Sequence, residues 1–259
     1  MPNESSGGFQ LQSVTIAFGP TTALNALSLD IRPGERVALV GPSGGGKSTL
    51  LNSLVGAVSP QSGTVWSLGE DLSTLSTRRI RTLRSQVGFI HQQLHLVPNL
   101  RVIQNVVCGR LGKRSFWQSA RDLLYTSSAD TEKVYQLLLR VGIPEKLYQR
   151  TDQLSGGQQQ RVAIARALFP EPKALLADEP VSSIDPARAR DLVDLLTSIA
   201  AEQQLTLVMS IHNLELAKAY FPRLVGLRHG LVAFDKQVEE ITAEDFNALY
   251  DLSQEELLT

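Results

Sequence analysis

The most constraining feature of this 259-residue chain is the eight-residue segment GPSGGGKS at positions 41–48. It matches the pattern G-x-x-x-x-G-K-[ST], in which backbone N–H groups of a glycine-rich loop surround phosphate oxygens. A short apolar run, 37–40 (VALV), precedes it, and apolar residues recur at helical spacing from Ser48 to Val55. Because strand, glycine loop and helix follow in this order, the segment is predicted to bind phosphate rather than to form an ordinary glycine-rich turn.

The residue types of this loop predict separate contacts to a nucleoside triphosphate. We expect Lys47 to reach the β- and γ-phosphates and the Ser48 hydroxyl to bind Mg²⁺. The N-terminus of the following helix would direct its positive dipole end at the same anion. The predicted nucleotide contacts in this segment are Gly41, Pro42, Ser43, Gly44, Gly45, Gly46, Lys47, Ser48 and Thr49.

Two carboxylates, Asp178 and Glu179, follow the buried apolar run 174–177 (ALLA). A carboxylate at the C-terminal end of a parallel strand lies close to the phosphate loop, where Asp178 could hold Mg²⁺. Glu179 would then accept a proton from the attacking water. Taken alone, an Asp-Glu pair after a strand could be a solvated turn, so the functional interpretation depends on the loop at 41–48.

The segment 154–158 (LSGGQ) predicts a second helix N-terminus able to bind an anion. Ser155 is suited to cap the helix, and the two glycines after it leave backbone N–H groups uncovered. A plain capped helix start is the simpler physical interpretation of these five residues. Their meaning therefore depends on the other motifs.

The order of strands and helices predicts an α/β fold with a mostly parallel sheet. Two half-buried antiparallel strands come first, at 11–18 and 26–31. Later strands are predicted at 37–40, 174–177, 205–209, 224–227 and 231–234. Helices are predicted from Ser48, over 132–141, from Ser155 to before Pro170 and around 192–199.

Together, the segments 41–48, 154–158 and 175–180 (LLADEP) resemble the nucleotide-binding subunit of ABC transporters. The resemblance extends from about Leu11 to Phe234. It implies a P-loop NTPase fold (RecA-like, mostly parallel sheet) with an antiparallel β subdomain and an inserted helical subdomain. The boundaries it implies for a single nucleotide-binding domain at 9–259 are a core at about 9–91 and 166–235, a helical subdomain at about 92–165, a short acidic tail at 236–259 and a flexible N-terminus at 1–8.

The same resemblance assigns roles to residues outside the three motifs. Phe18 would stack on adenine. Gln92 would contact Mg²⁺ and the attacking water and would sense a permease. His212 would contact the γ-phosphate and Glu179. Two departures from the family pattern, His91 in place of an apolar aromatic and Ile184 in place of leucine, remove no catalytic group.

The resemblance also implies a homodimer with two ATP molecules held between its subunits. Ser155, Gly156, Gly157 and Gln158 would bind the ATP carried by the other subunit. The segment 182–185 (SSID), which includes Asp185, would cross to that subunit. ATP and Mg²⁺ are the implied cofactors.

A more specific resemblance concerns the run 105–112 (NVVCGRLG) with Ser115, Trp117 and Ser119, which is similar to phosphonate-importer ATPase subunits. It implies import of phosphonate, phosphite or phosphate with transmembrane permease subunits and an extracytoplasmic binding protein. Another importer, an exporter or a lipoprotein-release system would share every catalytic motif. A non-transport ABC protein acting on ribosomes or DNA usually has two cassettes or a long coiled-coil insert.

Composition limits the partners of the chain. The formal charge of −1 gives no general attraction to nucleic acid, and no apolar run reaches the roughly 18–20 residues of a membrane span. The polar start does not resemble a signal peptide, and a lone Cys108 forms no internal disulfide. We therefore expect a soluble chain that does any work at a membrane through partners. The resemblance to transporter subunits implies a peripheral position at the cytoplasmic face of the inner membrane.

Charge is unevenly distributed along the chain. The stretch 72–121 contains nine basic residues and no Asp or Glu, whereas the tail after Asp235 is acidic. We predict that part of the basic stretch, including Lys113 and Arg114, faces the permease and anionic lipid headgroups. A solvated basic face with local ion pairs is the alternative. The tail is expected to be a solvated helix.

Overall fold

The computed structural model describes residues 8–113, 125–181 and 184–250. Several sequence predictions fall on residues outside these ranges, or on the undescribed side chain of Lys113. They concern the flexible start at 1–7, Arg114, Ser115, Trp117, Ser119, Arg121, Ser182, Ser183 and the end of the tail at 251–259.

Two sheets organise the described residues. The antiparallel sheet has the order β2-β1-β4-β5, with β1 at Phe9–Phe18, β2 at Thr21–Ile31, β4 at Ser62–Ser67 and β5 at Glu70–Asp71. The second sheet has the order β10-β9-β3-β8-β7-β6. Its strands are β3 at Arg36–Val40, β6 at Val87–Ile90, β7 at Ala174–Ala177, β8 at Thr206–Ser210, β9 at Arg223–Arg228 and β10 at Leu231–Gln237. All neighbours in the second sheet are parallel except β10, which is antiparallel to β9 at the edge.

Helices cover both faces of the parallel sheet. They are α1 at Lys47–Leu54, α2 at Thr77–Arg84, α3 at Val102–Val107, α4 at Ser128–Arg140, α5 at Gly156–Leu168, α6 at Pro186–Gln203, α7 at Leu214–Tyr220 and α8 at Ala243–Tyr250. None of the described helices combines the length and the apolar character that a membrane crossing requires.

Strand β3 shows why both faces of the parallel sheet are apolar. Leu39 packs with α1 and the antiparallel sheet, whereas its neighbours Ala38 and Val40 pack into the core formed with helices α3 to α7 on the other face. Because successive strand residues point to opposite faces, a strand buried on both sides must be apolar throughout. The α/β fold predicted from the sequence is confirmed.

The acidic tail differs from the solvated helix that was expected. Leu249 of α8 is completely buried, and Phe246 packs against the same core. The Arg228 guanidinium donates a hydrogen bond to the Ala248 carbonyl, and the Lys236 ammonium contacts Asp245 at 2.7 Å. The expectation was wrong for α8 because one face of this helix is apolar and docks on β9 and β10. The acidic composition of the tail did not indicate that face.

The basic stretch at 72–121 finds carboxylate partners elsewhere in the chain. Arg79 pairs with Glu70 at 2.6 Å, and Arg110 pairs with Asp130 at 2.7 Å. These pairs are the local ion pairs of the alternative interpretation. Arg78 is exposed on α2, and a contact of this face with lipid or permease stays a prediction.

Candidate functional site

The loop between β3 and α1 owes its shape to close backbone packing. Gly41 has a φ of 143°, and a Cβ there would lie 2.1 Å from the Leu227 carbonyl oxygen. Gly46, with a φ of 102°, is equally confined by the Ala23 carbonyl of β2 at 2.6 Å. Gly44 has a φ of 77° with open space beside it. Only glycine fits the first two positions, and the loop backbone stays accessible at the third.

Lys47 is 3% exposed at the start of α1. Its ammonium donates hydrogen bonds to the carbonyls of Gly41 and Pro42, both at 2.9 Å, and lies 3.9 Å from Glu179. Burial lowers the pKa of the lysine, and the charges of Glu179 and Asp178 oppose that effect. The ammonium is therefore held inside the loop, near the position where the sequence predicts phosphates.

Asp178 connects three elements at the carboxyl edge of the parallel sheet. Its Oδ1 accepts hydrogen bonds from the Ser48 hydroxyl of α1 at 2.9 Å and from the Ser210 hydroxyl at the end of β8 at 2.8 Å. Asp178 as a whole is 8% exposed. The hydroxyl and carboxylate oxygens are the hard donors that Mg²⁺ prefers, so this pair fits the predicted metal.

Glu179 is surrounded by the other predicted catalytic groups. Its Oε1 lies 2.5 Å from His212 Nε2, and its Oε2 accepts a hydrogen bond from the Gln92 amide at 3.3 Å. The residue has a φ of 46°, a left-handed conformation that is uncommon for non-glycine residues. The structure thus brings Lys47, Gln92, Asp178, Glu179 and His212 together beside the phosphate loop.

His91 precedes Gln92 and packs within a cluster of aromatic rings. It stacks on Phe89 with ring centroids 4.2 Å apart and meets His95 edge-on at 4.8 Å. Burial is the main cause that lowers the pKa of His91, assisted by His95 and Arg166. A lowered pKa favours the neutral imidazole, which suits a ring that stacks on another aromatic ring.

Phe18 lies at the end of β1, and its side chain is 54% exposed. The hairpin that begins there returns along β2 to Ala23, whose carbonyl limits Gly46 of the phosphate loop. Phe18 thus lies five residues before Ala23, the residue of the same hairpin that contacts the phosphate loop. Thr49, half-buried in α1, completes the predicted loop contacts.

The segment 155–158 lies in a different place. Ser155 caps α5 and forms a capping box with Gln158, while nothing lies within 4 Å of a Cβ built on Gly156 or Gly157. A cleft of about 320 Å³ borders this helix start, and its lining comes from α5, α6 and Ile184. Among the described residues, therefore, this cleft takes no part of its wall from the phosphate loop.

Asp185, predicted to cross to a second subunit, is the N-cap of α6. Its carboxylate accepts a hydrogen bond from the Arg188 backbone N–H at 3.1 Å. This contact gives the side chain a local structural role, and a role across an interface stays a prediction.

Two contributors were missed in the sequence. Ser210 ends a strand predicted only to Met209, although a polar residue at the carboxyl edge of a buried strand was the signal used for Asp178. Tyr250 lies at the end of α8. Burial raises the pKa of its hydroxyl, and the backbone of Gly41 in the phosphate loop acts to lower that pKa. No local pattern predicted that α8 would reach the phosphate loop.

The glycine loop and the carboxylates beside it, at the edge of a parallel α/β sheet, indicate the class of nucleotide-hydrolysing proteins. The family described as ABC transporter matches residues 24–182. The chain therefore belongs to the ABC transporter family, as an ATP-binding, ATP-hydrolysing subunit, and the resemblance inferred from its motifs is confirmed.

Three similar relatives share a narrower description. The chain is 48% identical over 235 residues to "Phosphonates import ATP-binding protein PhnC" of Anaeromyxobacter dehalogenans, covering 91% of this chain and 46% of that protein, less than half its length. It is 44% identical to the protein of the same name in Pseudomonas putida, covering 95% and 91%. It is 41% identical to "Hypophosphite import ATP-binding protein HtxD" of Stutzerimonas stutzeri, covering 94% and 71%.

The fold matches solved ATP-binding cassettes. A dimeric post-hydrolysis structure of the cassette MJ0796, bound to ADP and Pi, superposes with a TM-score of 0.77. It is 29% identical in sequence, and the match covers 90% of this chain and all of that one.

Proposed function

We propose that this chain is the energy-coupling subunit of an importer for phosphonates. The convergence of His212, Gln92 and Lys47 on the Glu179 carboxylate carries the catalytic part of the proposal. The names of the relatives support the cargo, because proteins up to 48% identical to this chain are named phosphonates import ATP-binding proteins.

Hydrolysis would proceed by in-line attack of water on the γ-phosphorus. Glu179 takes the proton of the water, a new P–O bond forms, and the bond to the bridging oxygen breaks so that ADP leaves. His212 Nε2, at 2.5 Å from Oε1, fixes the carboxylate, and Gln92 holds its other oxygen. Lys47 stabilises charge on the phosphates once they replace the loop carbonyls as its partners.

Ser48 and Asp178, with Gln92 nearby, are the residues that would hold Mg²⁺. When bound, the ion neutralises charge on the β- and γ-phosphates. The 2.9 Å contact between the Ser48 hydroxyl and Asp178 supports this assignment, because both oxygens already face one another. Gln92 is hydrogen-bonded to Glu179, so its part in the metal site is the least direct.

The active unit is proposed to be a homodimer with two ATP molecules. The exposed N-terminus of α5, with uncovered Gly156 and Gly157, suits an anion supplied by a second subunit. The dimeric MJ0796 structure with ADP and Pi supports this arrangement for a relative of the same fold. Ser155 and Gln158 would then contact the partner's nucleotide, and Asp185 would lie beside it.

Partners and location follow from the proposed importer. Permease subunits would hold the chain at the cytoplasmic face of the inner membrane, and an extracytoplasmic binding protein would deliver the ligand. We propose a core at about 9–91 and 166–235 and a helical subdomain at about 92–165. Helix α5 contacts both α3 and β6, which supports a connection between the two proposed parts.

Hypophosphite import is a second candidate, supported by the 41% identity to HtxD. The test is to purify the complex that this subunit assembles into and to reconstitute it with its binding protein. Methylphosphonate, phosphite, hypophosphite and phosphate are then compared as stimulants of ATPase activity. Stimulation by methylphosphonate above the other three supports the proposal, and stimulation by hypophosphite alone replaces it with the second candidate. A complex that no phosphorus oxyanion stimulates would refute both.

A further inference from the structure

Ser210 occupies an unusual position at the end of β8. It is completely buried in a strand that is otherwise apolar from Leu207 to Met209. Its hydroxyl donates to Asp178 Oδ1 at 2.8 Å and accepts a hydrogen bond from the Glu179 backbone N–H at 2.7 Å. One side chain from a neighbouring strand therefore connects the two consecutive carboxylate residues of the site.

The geometry leaves this hydroxyl little freedom. A serine hydroxyl has one proton to donate, and here the proton points at the Asp178 carboxylate. The lone pairs consequently face the Glu179 N–H. With the Ser48 hydroxyl also donating to Oδ1, Asp178 receives a hydrogen bond from each side.

Glu179 needs an external constraint. Its φ of 46° lies in the left-handed region, which a glutamate adopts only when its surroundings hold it there. The backbone N–H of this residue is bonded by Ser210, and the carboxylate is bonded two residues further along the same segment by His212. Ser210 at the end of β8 and His212 just after it thus hold the backbone and the side chain of Glu179.

We infer that Ser210 is a positioning residue of the ATPase, which holds the Asp178–Glu179 turn so that the Glu179 carboxylate faces the phosphate loop. The inference rests on the role proposed for Glu179 as the base. Ser210 acts through Glu179, because its completely buried hydroxyl is bonded to the Asp178 carboxylate and to the Glu179 backbone. It therefore governs the rate of hydrolysis and has little influence on ATP affinity.

The first measurement separates rate from affinity. In Ser210→Ala we expect kcat to fall roughly tenfold to hundredfold, as for loss of a group that orients a catalytic ligand. The dissociation constant of ATP for the monomer stays close to the wild-type value. Thr197→Val is the matched control, because Thr197 is also a buried hydroxyl and donates to the Val193 and Asp194 carbonyls of its own helix, α6. If Ser210→Ala does not fold, Ser210→Cys carries the test, since a thiol fills the space but bonds weakly.

A double-mutant cycle then tests whether Ser210 acts through Glu179. In the Glu179→Gln background, where the base is absent, the Ser210 substitution should slow single-turnover hydrolysis no further. Independent losses that multiply would refute the inference, as would wild-type kcat in the Ser210 variant or a rise in the ATP dissociation constant that matches the fall in kcat. Near-normal turnover in Glu179→Gln alone would instead refute the proposed base, so the two failures are distinguishable.

Discussion

The two helix starts to which we assign anion binding differ in how many of the proposed binding groups a single chain supplies. At α1, Lys47 is 3% exposed and has the carboxylates of Asp178 and Glu179 beside it. At α5, Ser155 and the uncovered glycines face an open cleft of about 320 Å³. At α1 the proposed hydrolytic groups form one corner of a single chain, whereas at α5 the cap and the backbone N–H groups face a cleft whose lining includes Arg161 and Arg188.

The difference has a physical basis. Catalytic groups must be held by packing, and the carboxyl edge of a parallel sheet gathers residues from several strands into one buried corner. The start of α5 lies away from this edge, so Lys47, Asp178 and Glu179 do not line its cleft. The anion that it would bind must therefore come from another molecule. We therefore expect changes at the α1 corner to act within one subunit and changes at α5 to act only when two subunits meet.

The largest expected effect is that of Glu179→Gln. Loss of the base should lower kcat by about 10²–10⁴-fold, because general base catalysis contributes on that scale. ATP should still bind, and the variant should accumulate as an ATP-bound dimer detectable by size-exclusion chromatography with light scattering. Glu240→Gln, at an exposed glutamate outside the corner, is the control. Near-normal turnover would remove Glu179 from its proposed role.

Gly157→Asp tests the second helix start of the comparison, that of α5. The position has open space, and an acidic residue suits a helix N-terminus, so the fold should be kept. Repulsion of the partner's ATP should lower turnover roughly 10²–10³-fold, as for loss of a preorganised anion contact. ATP binding to the isolated monomer should be unchanged by calorimetry. Gly157→Asn adds the same shape without charge, and equal damage by both would argue against an anion at this site.

Lys47→Ala should weaken ATP binding itself. A hydrogen bond to a charged group contributes about 1.5–3 kcal/mol, which corresponds to a roughly tenfold to hundredfold rise in the dissociation constant. Fluorescent-nucleotide titration of the monomer measures it, with Lys133→Ala on α4 as the control. An unchanged dissociation constant would contradict the phosphate assignment.

The smallest expected effect tests the ion pair that joins α8 to β10. Hydrogen bonding by Lys236 is the main cause that lowers the pKa of Asp245 from 3.8 to about 2. A depressed carboxyl pKa stabilises the fold above the unfolded value, and this contribution is lost as pH falls from 3.8 toward about 2. Asp245→Asn should thus be slightly less stable to urea at neutral pH than Glu244→Gln. A deficit that persists undiminished at low pH would have another cause.

Much of the site could be predicted from the sequence because its motifs are contiguous. The segments 41–48, 154–158 and 175–180 each combine residue types with a local structural context. Their roles come from chemistry that short segments carry, such as a glycine loop before a helix. Strands β4 and β6 were not recognised, since Gly63 and Gly88 interrupt short runs whose burial depends on distant neighbours.

The positions of Ser210 and Tyr250 beside the site could not be predicted from the sequence. Neither belongs to a motif, and each reaches the site because another strand or helix packs beside it. The acidic composition of the tail likewise gave no sign that Leu249 would be buried.

By itself, the sequence determined the phosphate loop, the carboxylates after β7, the capped start of α5 and membership of the ABC transporter family. Only the tertiary structure decided that β8 lies between β3 and β7, so that Ser210 and His212 meet Glu179. Local motifs record what short stretches of backbone can do. Strand order depends on long-range packing, which no window of sequence contains.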